Sequence, residues 1–95
     1  MIIGIRREDK NRWERRVPLT PADVSDLQRQ GLRFRVQPSA NRIFPDSDYQ
    51  AEGTEVAEDL DPCDLVLAVK EIPTELLRAG KTYVYFSHVI KGQEY

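Results

Sequence analysis

The feature that most constrains the fold is the alternation of apolar, strand-like runs with short helical segments. Each run is rich in β-branched or aromatic residues, and helix-start and helix-end residues lie between them. The runs cover residues 1–5, 32–37, 64–69 and 82–86. Because strands that alternate with helices pair through right-handed βαβ crossovers, the pattern predicts an α/β fold with an open, mainly parallel sheet.

The first helix has a clear start and end. Thr20 is suited to cap it, Pro21 fits its first position, and Asp23 stands at the spacing of a capping box. Gly31 can adopt the left-handed conformation that ends a helix. The sequence therefore predicts a helix that begins at residue 21 and ends before Gly31.

The remaining elements are predicted from shorter patterns. Asp46 is expected to cap a short helix that ends at Gly53, and a further helix is expected over residues 74–79. The run 64–69 is almost entirely apolar, which favours the most buried strand. The run 32–37 alternates apolar and polar residues, which indicates one exposed face and an edge position or thin cover.

Composition and charge exclude several classes of protein. A net charge of −2 argues against a nucleic-acid binder, although residues 1–16 hold six Lys/Arg and three Asp/Glu. That basic start either attracts an anionic substrate or is a solvated loop.

No apolar stretch approaches the ~20 residues that cross a bilayer, and no signal peptide is evident, so we expect a soluble, cytoplasmic protein without membrane partners. Cys63, the only cysteine, is expected to be a buried, inert thiol.

The 95 residues form one small domain, which is short for a complete cofactor-dependent enzyme. No G-x-G-x-x-G or P-loop signature is present. Residues 91–95 follow the last strand without a closing element. We therefore expect residues 1–95 to be a single substrate-binding domain, a fragment of a two-domain enzyme.

Candidate site residues follow the ends of the predicted strands. Lys70 and Glu71 close one strand, His88 closes the next, and Arg16 precedes the first helix. In an open α/β sheet, ligands bind at the carboxyl ends of strands, so these side chains could share a cleft. A lysine and a histidine that transfer protons and an arginine that binds a carboxylate suit the handling of a keto acid.

Each candidate also has a structural interpretation. Lys70 follows five apolar residues, so partial desolvation would lower its pKa, but a strand-end lysine is often only a surface ion pair. His88 suits proton transfer near neutral pH, although a single histidine is often structural, and it cannot build a zinc site with one cysteine. Arg16 can present its planar fork to a carboxylate, with Arg6 and Glu14 in support.

Three motifs together resemble a known family. Residues 6–21 (RREDKNRWERRVPLTP), 69–73 (VKEIP) and 86–93 (FSHVIKGQ) resemble, in that order, the motifs of the alanine dehydrogenase / pyridine nucleotide transhydrogenase N-terminal family. The third motif is similar to the form in saccharopine dehydrogenases and lysine-ketoglutarate reductases, since alanine dehydrogenases usually carry Leu after the histidine. The residues around Trp13 and Gln37 are most similar to those of the lysine-ketoglutarate reductase half of aminoadipic semialdehyde synthase.

The resemblance implies a function. It implies a Rossmann-like or flavodoxin-like substrate domain of an enzyme that condenses lysine with 2-oxoglutarate and reduces the imine to saccharopine with NAD(P). It implies that Lys70 and His88 are the acid/base pair, that Glu71 tunes the lysine, and that Arg16 binds a substrate carboxylate. The cofactor would lie mainly on a second, Rossmann-type domain of the same enzyme, and the chain alone would be inactive.

Two alternatives remain open from the sequence. The first keeps the fold but changes the substrate, to an alanine dehydrogenase-like domain that handles pyruvate and ammonia. The second is a stand-alone module that binds a small carboxylate without catalysis, motivated by the absent cofactor domain and the basic N-terminal stretch. The oligomeric state is not predicted.

Overall fold

A computed structural model describes residues 1–9, 13–70 and 72–85. Its described part contains a five-stranded parallel sheet with the order β3-β2-β1-β4-β5, which confirms the predicted α/β class. The strands are β1 (Ile2–Ile5), β2 (Arg33–Val36), β3 (Glu55–Val56), β4 (Leu65–Ala68) and β5 (Thr82–Tyr85), and the helices are α1 (Pro21–Arg29) and α2 (Asp46–Ala51).

The start of α1 is the predicted capping box. The Thr20 hydroxyl accepts a hydrogen bond from the Asp23 N–H at 3.1 Å, and the Asp23 carboxylate accepts one from the Thr20 N–H at 3.2 Å. Pro21 occupies the first turn, where no N–H is needed. Gly31, at φ +100°, ends the helix as expected, because only glycine adopts this backbone conformation without strain.

Both helices cover the same face of the sheet. Because side chains alternate along a strand, Ile3 and Ile5 of β1 lie on the same face of the sheet. There they pack with Val24 of α1 and Tyr49 of α2. The Tyr49 hydroxyl donates to the carbonyl oxygen of Leu19 at 2.8 Å, so the buried ring keeps its polar atom satisfied. This packing fixes the segment before α1 against the sheet.

The opposite face is packed around Cys63, which is 1% exposed, as the sequence predicts. Burial raises the pKa of its thiol, which keeps it protonated and unreactive. Val66 and Ala68 of β4 share this second core with Ile72.

Within the described residues, no helix is long and apolar enough to cross a membrane. Location in the cell stays a prediction.

Two expectations about the elements were wrong, and a third was correct only in part. Pro45 is the N-cap of α2 and makes no side-chain cap, because the Asp46 carboxylate binds the Ser39 N–H and the Arg42 guanidinium instead. Residues 74–79 contain a single 3-10 turn, Thr74–Leu76, instead of a longer helix. The strand β2 is not an edge strand, since β3 lies outside it, although the two residues of β3 leave much of β2 thinly covered.

The strand β4 is also less buried than expected. Leu65 and Leu67 are only partly buried, whereas β1 is the most buried strand of the sheet. The reason is the position of the helices: α1 contacts β2 and α2 contacts β3. The apolar side chains of β4 on that face therefore lie beyond the helical cover.

Candidate functional site

The carboxyl ends of the parallel strands lie along one edge of the sheet, as the topology requires. Arg6 follows β1 directly, and Lys70 lies two residues after β4. The segment before α1 lies against this edge, because Arg16 and Ser39 line the same small cavity as Ile5 and Arg6. Within the described residues, the edge therefore gathers residues of the first and second motifs.

Glu14 is the residue that joins the two predicted cations. Its carboxylate is buried and accepts hydrogen bonds from Nε and Nη2 of Arg16, each at 2.8 Å. The same carboxylate lies 3.8 Å from Nζ of Lys70. Arg16 and Lys70, which are 54 positions apart in the sequence, therefore face each other across one carboxylate.

The charge of Glu14 is strongly stabilised. The Arg16 hydrogen bonds, with a smaller contribution from the charge of Lys70, lower the pKa of Glu14 from 4.5 to about 2. A carboxylate that stays ionised keeps two like charges close to each other. Two cations held beside one carboxylate at the edge of the sheet are an arrangement that can attract an anion.

Arg16 remains available to a ligand. Its side chain is 65% exposed, and Glu14 takes up Nε and Nη2 on one side of the guanidinium. Nη1 has no hydrogen-bond partner among the residues that the structure describes. The bound carboxylate therefore orients the fork and leaves one N–H edge of it for a second carboxylate.

A second buried carboxylate positions the backbone of Lys70. Glu8 accepts hydrogen bonds from the N–H groups of Val69, at 2.7 Å, and Lys70, at 2.9 Å. Burial raises the pKa of Glu8, and these two hydrogen bonds oppose the increase. Glu8 thus ties the end of β4 to the segment after β1, which leaves the ammonium of Lys70 free of this structural role.

The remaining predicted residues differ in their placement. Arg6 is buried beside the cluster, and its guanidinium is held by the Asp9 carboxylate, at 3.0 Å, and by the Arg7 carbonyl oxygen. Its predicted substrate contact stays a prediction. Glu71 and His88 lie outside the described residues, so the structure does not relate them to Lys70.

The sequence argument gave Glu14 only a supporting role and did not select Glu8. A signal for both exists in the segment 6–16, where acidic residues alternate with arginines directly after a buried strand. Acidic residues so close to a buried strand need a partner when the chain folds over them. Glu14 finds Arg16 two positions away, but its approach to Lys70 and the binding of Glu8 to the end of β4 span more than 50 positions, which the local pattern does not encode.

We expect Glu14→Gln to flatten the acid dependence of stability. The pKa of Glu14 is lower in the folded state, so its ionisation stabilises the fold above about pH 4.5, and this contribution is lost as the pH falls toward 2. Urea unfolding of Glu14→Gln should show a loss of about 1–3 kcal/mol at pH 7 and a smaller further loss between pH 4.5 and 2 than the wild type. The control is Glu52→Gln, an exposed residue at the end of α2. Equal slopes in wild type and Glu14→Gln would show that Arg16 does not hold this carboxylate ionised.

Comparison with known proteins identifies the family. Residues 4–95 match the model of the alanine dehydrogenase/PNT N-terminal domain. The chain belongs to this family. As an alanine dehydrogenase/PNT N-terminal domain, it is a domain of the oxidoreductase type, as the three motifs suggest.

Two curated relatives illustrate the range of this family. The chain is 42% identical over 93 residues to the mitochondrial alpha-aminoadipic semialdehyde synthase of Rattus norvegicus, covering 98% of this chain and 10% of the relative. It is 35% identical over 99 residues to the alanine dehydrogenase of Mycolicibacterium smegmatis, covering 94% of this chain and 26% of the relative. The chain thus spans about a tenth of the synthase and about a quarter of the dehydrogenase.

A solved structure supports the fold. The crystal structure of transhydrogenase from Sinorhizobium meliloti superposes with a TM-score of 0.82, at 22% identity, over 99% of this chain and 30% of that chain. The similarity confirms the α/β architecture of the domain and places it within a much longer polypeptide in that protein.

Proposed function

We propose that this domain is the substrate-binding and catalytic half of an NAD(P)-dependent oxidoreductase that joins lysine to 2-oxoglutarate and forms saccharopine. The observation that carries the proposal is the meeting of Arg16 and Lys70 at Glu14, at the carboxyl edge of the sheet. The higher identity to the synthase than to the alanine dehydrogenase favours this substrate pair over pyruvate and ammonia.

Arg16 supplies the carboxylate clamp of the proposed reaction. Its guanidinium is already oriented by Glu14, so little side-chain entropy is lost when the substrate carboxylate binds at the exposed edge. An arginine fork also discriminates against neutral groups, since it offers parallel N–H donors to two oxygens. In the proposed complex, the keto acid is thereby held with its carbonyl group toward Lys70.

Lys70 is the proposed proton donor and acceptor next to that carbonyl. Its side chain is 23% exposed, its backbone is fixed by Glu8, and its ammonium lies beside Glu14 without a closer partner among the described residues. Imine formation requires a proton on the carbonyl oxygen as water leaves, and a positioned ammonium group can deliver it. The charge of Glu14 keeps that ammonium at the edge of the sheet.

The roles of His88 and Glu71 in this proposal come from the resemblance of the second and third motifs. His88 would be the second acid/base group, and Glu71 would tune the lysine. Arg6 would add positive charge beside the substrate, since its charge also acts on Glu8. Lysine would approach as the amine nucleophile, and 2-oxoglutarate would be the carboxylate held by Arg16.

The described residues do not fit a dinucleotide. The strand β1 runs directly into Arg6 and Arg7 instead of a glycine-rich loop, and Gly4 lies inside the sheet against Cys63. We therefore place NAD(P) on a companion Rossmann-type domain of the same protein, with the substrates between the two domains. The domain of residues 1–95 would not turn over on its own.

The proposed function is tested with the protein from the complete reading frame. NADPH and NADH oxidation would be followed with lysine and 2-oxoglutarate, and in parallel with ammonia and pyruvate. The proposal requires oxidation that depends on both lysine and 2-oxoglutarate and yields saccharopine by mass spectrometry. Turnover with ammonia and pyruvate alone would instead assign an alanine dehydrogenase-like activity, and binding without turnover would favour a non-catalytic module.

A further inference from the structure

Arg42 carries a buried hydrogen-bond donor that the fold does not use. Its side chain is 4% exposed, and Nη1 has no hydrogen-bond partner in the described part of the chain. An unsatisfied N–H of a buried charged group is costly, so such a group in a folded protein calls for a specific partner.

The rest of the Arg42 side chain is fixed. Nε donates to the Phe44 carbonyl oxygen at 3.1 Å, Nη2 binds the Asp46 carboxylate, and the guanidinium carbon lies 4.9 Å from the centre of the Tyr49 ring. Three contacts therefore set the direction of the unused N–H before any ligand arrives. A preorganised donor of this kind is typical of a binding site, because binding requires no further ordering of the side chain.

Arg42 also forms one wall of a small cavity under the candidate site. The cavity has a volume of about 10 Å³, and its walls include Arg16, Glu8 and Ser39. This volume is close to the minimum for a single water molecule or one oxygen atom of a similar size. Arg16, with most of its side chain exposed, lies at the same cavity.

We propose that Arg42 is a second carboxylate-binding residue of this site, whose Nη1 receives one oxygen of the substrate carboxylate that Arg16 holds. The inference rests on the proposed function and deepens it, since it gives the keto acid two arginines. One carboxylate oxygen fills the cavity and satisfies Arg42, and the other oxygen bonds the exposed edge of Arg16. In the free protein, a single water occupies the oxygen position.

The electrostatics of the cavity favour an anionic oxygen. Four arginines line it, and each already has a carboxylate partner, so, within the described residues, the attraction for an anion comes from the unused Nη1 donors of Arg16 and Arg42. The Glu8 carboxylate accepts two backbone N–H groups, so its oxygens are directed toward the end of β4. A carboxylate oxygen therefore gains more from this lining than a neutral water does.

The test compares Arg42→Gln with Tyr49→Phe in the complete protein. Tyr49→Phe removes the hydrogen bond from the Tyr49 hydroxyl to the Leu19 carbonyl oxygen but keeps the ring beside Arg42 and the contacts that direct Nη1, so it is the matched control for a purely structural role. We expect Arg42→Gln to raise KM for 2-oxoglutarate about 10- to 100-fold, with KM for lysine changed less than about threefold. Tyr49→Phe should lower Tm with a much smaller change in KM for 2-oxoglutarate.

Several results would overturn this role. Equal increases in KM for both substrates, or the same KM profile in Tyr49→Phe, would assign Arg42 to the stability of the fold alone. Wild-type turnover is measured first: its absence counts against the proposed function, whereas wild-type turnover with an unchanged KM in Arg42→Gln counts against Arg42 only.

A second measurement does not depend on the folding of the variant. Crystals of the complete wild-type protein with and without 2-oxoglutarate would show the occupant of the cavity. The proposal requires a carboxylate oxygen within hydrogen-bond distance of Nη1 of Arg42 in the complex. A water that stays in the cavity while the keto acid binds elsewhere would overturn it.

Discussion

Replacement of Lys70 by methionine is expected to lower the turnover of the complete protein about 100- to 10,000-fold, the usual contribution of a general acid or base. Methionine has a similar length but no proton to transfer. The fold should persist, because Glu8 binds the backbone N–H of Lys70 and Glu14 keeps its hydrogen bonds to Arg16. The measurement is NADPH oxidation at saturating substrates, with circular dichroism and Tm as checks on folding.

Two controls sharpen this result. Lys70→Arg keeps the positive charge beside Glu14 but cannot give up its proton near neutral pH, so it should remain nearly as slow as Lys70→Met. Arg33→Met removes an exposed cation at the opposite end of the sheet and should leave turnover unchanged. Turnover of Lys70→Met within threefold of the wild type, with the fold intact, would remove Lys70 from the catalytic site.

Arg16→Lys is expected to raise KM for 2-oxoglutarate about 10- to 100-fold while kcat falls much less. Lysine at this position keeps a positive charge for the buried Glu14, which avoids an unpaired carboxylate, but it loses the planar fork. In the proposed site the fork contacts the keto acid and not the amine, so KM for lysine should stay near its wild-type value. Initial-rate kinetics with each substrate varied in turn measure both constants.

The matched control for Arg16→Lys is Arg29→Lys, the same change at an exposed arginine in the last turn of α1. That variant should bind both substrates normally. If Arg16→Lys and Arg29→Lys gave the same kinetic constants, the exposed fork of Arg16 would have no part in substrate binding, and the carboxylate would have to bind elsewhere on the protein.

The elements were predictable where their signals are local. The capping box of Thr20 and Asp23 spans four residues, so the sequence specifies it directly, and Gly31 ends the helix for a reason that lies in its own backbone. Asp46 was wrongly expected to be a cap because its carboxylate finds Ser39 and Arg42, partners that lie outside the helix. Contacts with the preceding loop, four and seven positions away, thus override the capping preference of this residue.

The site was predictable only in part. The rule for parallel sheets correctly places the residue after β4 at the same edge as the segment after β1. The sequence does not specify that Glu14 binds Arg16 and approaches Lys70, or that Glu8 binds the N–H of Val69 across 61 positions, because 16 acidic and 14 basic side chains allow many alternative pairings. The roles of His88 and Glu71 stay predictions, since both lie outside the described residues.

The central claim is that 2-oxoglutarate binds between Arg16 and Lys70, and reductive methylation of the complete protein tests it most directly. Peptide mass spectrometry would give the rate of methylation at each lysine with and without saturating 2-oxoglutarate. Lys81 is the internal reference, since its ammonium binds the carbonyl oxygens of Asp61 and Cys63 on the other core of the sheet. We expect 2-oxoglutarate to slow methylation of Lys70 at least about tenfold, with Lys81 unchanged. Equal rates at Lys70 with and without the keto acid, under conditions in which calorimetry shows that it binds, would contradict the account.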